Sequence, residues 1–259
     1  MIGLAATLAA LEPVEGGWRG EIGDGWLQGR TAYGGLSAAL ALHAAKASDV
    51  DLPPLRSAQV SFIGPLSGTV LIRASRLRRG RNAAFVQADV ESEAGLGLRA
   101  TFVFMRDQES LIDHQRGAAP DFPRPGPDDR IFSGKPSAPA FINNFEFVDR
   151  RDEAADPAEW LRWVRLKDHG AVDAETGLIA VADCLPPAAL RLFGQIAPIS
   201  SMTWLLNLLG PVPATADGWW LLRAATDYAR AGNSSQSMAI WSADGTPVAE
   251  QMQSVAIFR

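Results

Sequence analysis

"YGGLSAALALHAAKAS", residues 33–48, decides the fold. Ala and Leu recur on every side of a 3.6-residue turn, with no polar stripe. A helix that is apolar all round is a buried one. The segments after it read as strands, so a sheet must wrap around this helix.

Working outward, the chain carries an internal repeat. Residues 55–105 and 199–258 run through the same series of signals. Each copy starts with a β-type run, Gln59 to Ile63 and Met202 to Leu206. A Gly-Pro pair follows, Gly64-Pro65 and Gly210-Pro211. Next come a glycine and an apolar strand, Gly68 to Ile72 and Gly218 to Leu222. An Arg-Arg-Gly or Arg-Ala-Gly-Asn turn (78–80 and 230–233) leads into two more strands. These close around Glu93-Ala94-Gly95 and Ala243-Asp244-Gly245, and Asp-Gly is a strong hairpin signal. Alternation supports the strands: Val86, Ala88 and Val90 share one face, opposite Phe85, Gln87, Asp89 and Glu91. In the second copy Met238, Ile240 and Ser242 share a face.

In the place of the first-half helix, the second copy has "DCLPPAALRLFG", residues 183–194. Prolines fit a first helical turn, where missing N–H groups cost little. Asp183 then falls at or just before a helix start, where an acid accepts backbone N–H bonds. Its neighbourhood, "LIAVADCLPPAAL", is otherwise apolar or proline. An isolated carboxylate there is costly unless it is hydrogen-bonded or exposed, so Asp183 is either a cap or part of a site. Residues 107–140 are polar and dense in Pro and Gly, as a linker is. The expected layout is α+β: residues 1–106, a linker 107–140, and residues 141–259, with the two sheets packed edge to edge. "FINNFEFVDR" (141–150) and "WLRWVRLKD" (160–168) read as strands of the second half, and the opening "MIGLAATLAALEP" as a short helix or lead-in strand.

The 259 residues carry a net charge of −5, which gives no electrostatic footprint for nucleic acid. No run of ~18 apolar residues is available to span a membrane. The single cysteine, Cys184, excludes an intrachain disulfide and points to a reducing compartment, the cytoplasm. Three scattered histidines, His43, His114 and His169, offer no local metal motif. The arginines at 76, 78, 79 and 81 read as a solvated hairpin end, with a grip on CoA phosphates as the functional alternative.

"WLQGRTAYGGLSAAL" (26–40), "ADCLPP" (182–187), "PISSMTW" (198–204) and "GTPVAEQMQSVAIF" (245–258), taken in this order, resemble the acyl-CoA thioesterase II family and its thioesterase-like relatives. The resemblance covers nearly the whole chain. It implies a tandem (double) hotdog, each half an antiparallel sheet wrapped around a long central helix. It implies an acyl-CoA substrate, no cofactor and no metal. Two fused halves supply what single-hotdog proteins make by dimerising, and a further homo-oligomer stays open. In that family an Asp, a Thr or Ser and a Gln hold a water molecule. The Asp corresponds to Asp183 and the Gln to Gln253. The family's threonine falls nearest Ile199, so Ser201, on the same strand face, is taken as the hydroxyl, with Ser200 and Thr203 as alternatives. Tyr33, Gly34, Gly35 and Ser200 are expected at the substrate.

These residue types suit thioester hydrolysis. A carboxylate takes the proton of an attacking water, amide and hydroxyl groups fix that water, and helix N-terminal N–H groups stabilise an oxyanion. Two other readings compete. An enoyl-CoA hydratase or dehydratase would need a histidine close to the acid, and none is near Asp183 in sequence. A non-catalytic acyl-CoA-binding protein would keep the pocket and lose the water site, as the missing threonine suggests.

Overall fold

The protein is described by a computed structural model covering residues 2–134, 138–148, 150, 156–193 and 198–258. The chain opens with α1 (Leu4–Ala9) and the strands β1 (Glu12–Val14) and β2 (Gly17–Ile22). A small ribbon, β3 (Leu27–Gln28) with β4 (Thr31–Ala32), leads into α2 (Gly34–Ala47). Then come β5 (Leu55–Phe62), β6 (Gly68–Arg79), β7 (Ala83–Ser92) and β8 (Gly95–Met105). The second half holds β9 (Ile131–Phe132), β10 (Phe145–Val148), β11 (Glu159–Leu166), α3 (Ala174–Ala182) and a 3₁₀ turn, Ala188–Leu192. It ends with β12 (Ile199–Leu208), β13 (Trp220–Arg230), β14 (Asn233–Ser242) and β15 (Pro247–Ile257).

All strands except the β3–β4 ribbon belong to one antiparallel sheet of thirteen, in the order β1-β2-β6-β7-β8-β5-β12-β15-β14-β13-β11-β10-β9. The halves therefore meet edge to edge through β5 and β12, with Trp204 opposite Val60 and Leu206 opposite Ala58. This pairing removes two edges that would otherwise template association. Hairpin positions match the sequence: Gly95 and Gly245 both take a positive φ, 98° and 86°, which glycine adopts without strain.

α2 is buried without a break from Gly35 to Leu42. It packs against β6, β7 and β8 on one side and α3 on the other. Val86, Ala88 and Val90 face it from the alternating strand, each fully buried. α3 runs antiparallel to α2. Lys46, in the last turn of α2, pairs with Asp173 (2.7 Å) and Glu175 (2.9 Å) at the start of α3. At the opposite ends the Tyr33 hydroxyl donates to the Ala180 carbonyl at 2.8 Å.

The second helix corrects the sequence reading. It ends at Asp183 instead of beginning there. Its N-cap is Asp173, whose carboxylate accepts from the Thr176 N–H at 3.1 Å and the Thr176 hydroxyl at 2.7 Å. The prolines act as a stop: Pro186 disfavours helical backbone at Leu185, and the chain resumes only as the 3₁₀ turn. That turn packs on β13, β11 and β14, so the second half has the nine-residue α3 and a turn where one long central helix was expected. Of the expected 183–194 helix, Gly194 lies outside the described residues, as do residues 135–137 of the expected linker.

Residues 117–124 do more than connect. The Trp241 indole donates to the Gly117 carbonyl (2.7 Å) and the Trp163 indole to the Pro123 carbonyl (2.8 Å). Phe122 and Ala119 pack on a second apolar cluster, Val148, Trp163, Trp219, Leu221 and Trp241. The segment thus straps the outer face of the second-half sheet. Among the described residues no helix is long and apolar enough to cross a membrane.

Because α2 has no solvated face, Ala38→Gln, Ala39→Gln and Ala41→Gln should each lose about 1–3 kcal/mol in urea denaturation. An ordinary amphipathic helix would tolerate at least one of the three. Wild-type stability at any of these positions contradicts the sheathed-helix description.

Candidate active site

Two helix ends meet at one carboxylate. α2 begins at Gly34 and α3 ends at Asp183, and the antiparallel packing brings these termini together. The Gly35 N–H, one of the donors a helix leaves unpaired in its first turn, lies beside Asp183 and favours its charged form. So Asp183 does sit at a helix N-terminus, but that of α2 in the other half of the chain. The positive end of the α2 dipole favours its charge.

Gln253 reaches the same carboxylate from β15. Its Nε2 donates to Asp183 Oδ1 at 2.7 Å. Asp183 keeps a partial exposure to solvent, while Gln253 is buried. Burial pushes the Asp183 carboxyl up to about 7, against the opposing pull of the Gln253 amide and the Gly35 N–H. The acid therefore changes protonation state near neutral pH, where a general base is most useful. Burial, then the Asp183 charge, raises both the Tyr33 hydroxyl and the Cys184 thiol well above their ordinary ranges.

The glycines at the α2 start serve close approach and not an unusual backbone. A Cβ at Gly34 would stand 2.6 Å from Asp183 Oδ2 and 2.9 Å from Phe62 Cε1. One at Gly35 would stand 2.6 Å from the Tyr33 hydroxyl and 2.7 Å from the Ala180 carbonyl oxygen. Tyr33 itself is 1% exposed and stacks on Phe141, with ring centroids 4.1 Å apart. Its hydroxyl is already committed to Ala180.

Strand register settles where the candidate serines point. Ser201 lies opposite Val255 and Trp204 opposite Gln253, with a bulge between Ser201 and Thr203. The bulge puts Ser201 on the inner face with Gln253. Ser200 and Thr203 are exposed, opposite Ala256 and Ser254. Among the described residues no hydrogen bond joins Ser201 to Asp183 or Gln253; Ser200 donates weakly to the Ser201 carbonyl at 3.4 Å.

Two inner-face residues of β14 escaped the sequence reading. Gln236 lies opposite Gln253 and donates to its Oε1 at 2.6 Å. Ser234 lies opposite Val255, fully buried, and its hydroxyl has no partner. A signal for Gln236 was present: it shares parity with Met238, Ile240 and Ser242, so it is an amide on a strand's apolar face.

Other sequence candidates lie elsewhere. Arg76 and Arg79 pair with Asp49 just past the C-terminal end of α2. The fourteen-residue helix places them about 20 Å from Gly34. An open groove of about 610 Å³ at that same end is lined by Lys46, Asp49, Asp51, Asp173 and Glu175 among others. Its acids would repel CoA phosphates, and it is remote from Asp183. His43 packs edge-on against Trp18, and burial lowers its pKa. His169 packs against Gly218.

Comparison with known proteins places this geometry in a family. The acyl-CoA thioesterase N-terminal domain matches residues 22–105, and the acyl-CoA thioesterase C-terminal domain matches residues 116–257. The chain belongs to the acyl-CoA thioesterase family. Among solved structures, this family member is similar to a conserved protein of unknown function with hotdog fold from Alicyclobacillus acidocaldarius. The two are 22% identical over 98% of each chain, with a TM-score of 0.87. It is also similar to the tesB protein of Mycobacterium avium (18% identity, 99% of this chain and 98% of that one, TM-score 0.78). A third is the acyl-CoA thioesterase II TesB2 of Mycobacterium marinum (17% identity, 98% and 97%, TM-score 0.74). These likenesses establish the hotdog fold. No sequence among the curated proteins matches significantly.

The packing around Asp183 has two measurable consequences. Gly35→Ala meets a backbone oxygen that cannot yield, and should cost about 1–3 kcal/mol in thermal or urea unfolding. Unfolded Asp183 ionises near 4 and folded Asp183 near 7, so between these values the folded state holds the extra proton. The contribution of Asp183 to stability therefore falls as pH rises from about 4 to about 7. Asp183→Asn should gain stability relative to wild type across that window, measured by urea denaturation at a series of pH values. A constant difference across the window would show that the folded carboxyl is not displaced.

Proposed function

We propose that the protein is an acyl-CoA thioesterase, hydrolysing an acyl-CoA thioester to the free acid and CoA. The observation that carries this reading is a carboxyl raised by burial to about 7, hydrogen-bonded to Gln253, beside the first turn of α2 and partly open to solvent. In this reading the two halves, 1–106 and 141–259, joined through 107–140, form a double hotdog with the site at their shared seam.

Ionised Asp183 takes a proton from a water held beside it. The water oxygen bonds to the thioester carbonyl carbon, and the carbonyl oxygen gains charge. First-turn N–H groups of α2 not taken by Asp183 stabilise that oxyanion. The C–S bond then breaks, and protonated Asp183 returns its proton to the departing CoA sulfur. Gln253 holds Asp183 through its donated hydrogen bond, and Ser201, on the same face, supplies the hydroxyl that orients the water. Tyr33 shapes the site from behind by fixing α2 to α3, while Gly34 lets the substrate's thioester approach the helix end. Ser200, on the outer face, is reserved for the rim.

One observation favours a second reading, a non-catalytic acyl-CoA-binding protein. By the resemblance the family's threonine falls nearest Ile199, which has no hydroxyl, and no hydroxyl among the described residues bonds to the Asp183–Gln253 pair. The hydratase reading gains no support, since none of the three histidines adjoins Asp183.

Thiol release from a series of acyl-CoAs, followed with a thiol-reactive dye, separates the two. Asp183→Asn should lower kcat/KM by about 10²–10⁴-fold in a protein of wild-type fold, and Ser201→Ala by a smaller factor. Tight acyl-CoA binding without thiol release from the wild-type protein selects the binding reading and ends the hydrolytic one.

A further inference from the structure

Gln236 lies one residue further from the carboxylate than any group used above, and its amide contacts that of Gln253. The controlling hydrogen bonds start at Ala188. Pro186 and Pro187 have no N–H, so Ala188 is the first backbone donor after Leu185. As the first residue of a 3₁₀ turn it has no partner within the turn. A backbone N–H can only donate, so the group facing it must be an acceptor. That group is Gln236 Oε1, at 2.9 Å. The Gln236 amide is thereby fixed, with Nε2 turned toward Gln253 Oε1 at 2.6 Å and Met238 Sδ at 3.5 Å. Gln253 in turn has only Nε2 left for Asp183, at 2.7 Å. Both glutamines are at most 2% exposed, so water does not compete for either amide.

We infer that Gln236 is a positioning residue: through a one-way chain from the Ala188 N–H it holds the Gln253 amide with its donor toward Asp183, which favours the ionised, basic form of that acid. Without Gln236 the Gln253 amide is free to turn over. Its oxygen would then face Asp183, and only a protonated carboxyl can donate to it. The inference rests on Asp183 acting as the base.

The surroundings leave few other charges to set this balance. Tyr33 and Cys184 face Asp183 and are held neutral by burial. Neither β12 nor β14 carries an ionisable side chain, and Glu250 of β15 is exposed on the opposite face. Arg191 of the 3₁₀ turn stacks on Trp160. Lys46, Asp173 and Glu175 pair with one another at the far ends of α2 and α3.

The test reads Asp183 directly. In protein labelled with ¹³C at aspartate carboxyls, the Asp183 signal, assigned by its loss in Asp183→Asn, is titrated in wild type and Gln236→Met. The Met side chain keeps the volume and removes both hydrogen bonds. The expected result is an upward move of the Asp183 midpoint by about one pH unit. The acidic limb of kcat for acyl-CoA hydrolysis should move with it, at a KM within about twofold of wild type. Gln236→Glu, which keeps an acceptor for the Ala188 N–H, is the second variant. When protonated, the introduced carboxyl donates as the amide did; when ionised, it only accepts. A descending alkaline limb should therefore appear that wild type lacks. An unchanged Asp183 midpoint in a folded Gln236 variant overturns the inference, even if stability has dropped. Thioesterase activity retained by Asp183→Asn overturns the base reading instead, and the NMR midpoint still decides the role of Gln236.

Discussion

A carboxylate drawn largely out of water needs donors, and the whole molecule is arranged so that Asp183 finds two. One, the Gln253 amide on β15, donates to it at 2.7 Å; the other, the Gly35 N–H at the start of α2, lies beside it and favours its charge. They come from opposite halves of the chain. Their meeting requires the two helices to run antiparallel, and it requires β15 to lie beside the central β5–β12 seam. The Lys46 pairs at one end and the Tyr33–Ala180 bond at the other hold the helices in that alignment. Glycine at 34 and 35 lets the helix start come close enough.

The same arrangement explains why the Asp183 carboxyl sits near neutrality and not far above it. Desolvation alone would drive the carboxyl neutral; two good donors alone would keep it a strong acid of little use as a base. Partial burial with two donors leaves it near neutrality. A tandem chain is well suited to this balance. In a single chain the two halves need not be identical, so one half can keep a helix N-terminus free for the site while the other contributes the acid and the amides.

Much of this was legible in the sequence. The all-round apolar run 33–48, the period-2 faces of β7 and β14 and the Gly hairpins at 95 and 245 each depend on local geometry, and local geometry is written in local sequence. Asp183 drew notice as an acid among prolines and apolar residues, whereas Gln253 was reached only through the family resemblance; the structure brings the two side chains together. Three features were misread or missed, for related reasons. Pro186-Pro187 is compatible with both starting and stopping a helix, and the Asp173-Ala-Glu-Thr cap upstream was the signal that it stops one. The bulge at Met202 inverts strand parity between Ser201 and Trp204, and no residue type announces it. The polar segment after 107 carries the carbonyls of Gly117 and Pro123 to two sheet tryptophans and Phe122 to the apolar cluster around them, a match visible only once the sheet's outer face exists.

The sequence by itself determined the buried run of α2 and most of the long strands, that two stretches carry the same series of signals, and that one acid in an apolar setting needs an explanation. These stem from side-chain periodicity and backbone chemistry, which act over a few residues. Only the tertiary structure decided which helix end the acid meets, which way the Gln253 amide faces, and that Gln236 and the Ala188 N–H stand behind it. Those are contacts between residues 35, 183, 188, 236 and 253. Hydrogen-bond direction across such separations is set by which donors and acceptors folding places side by side.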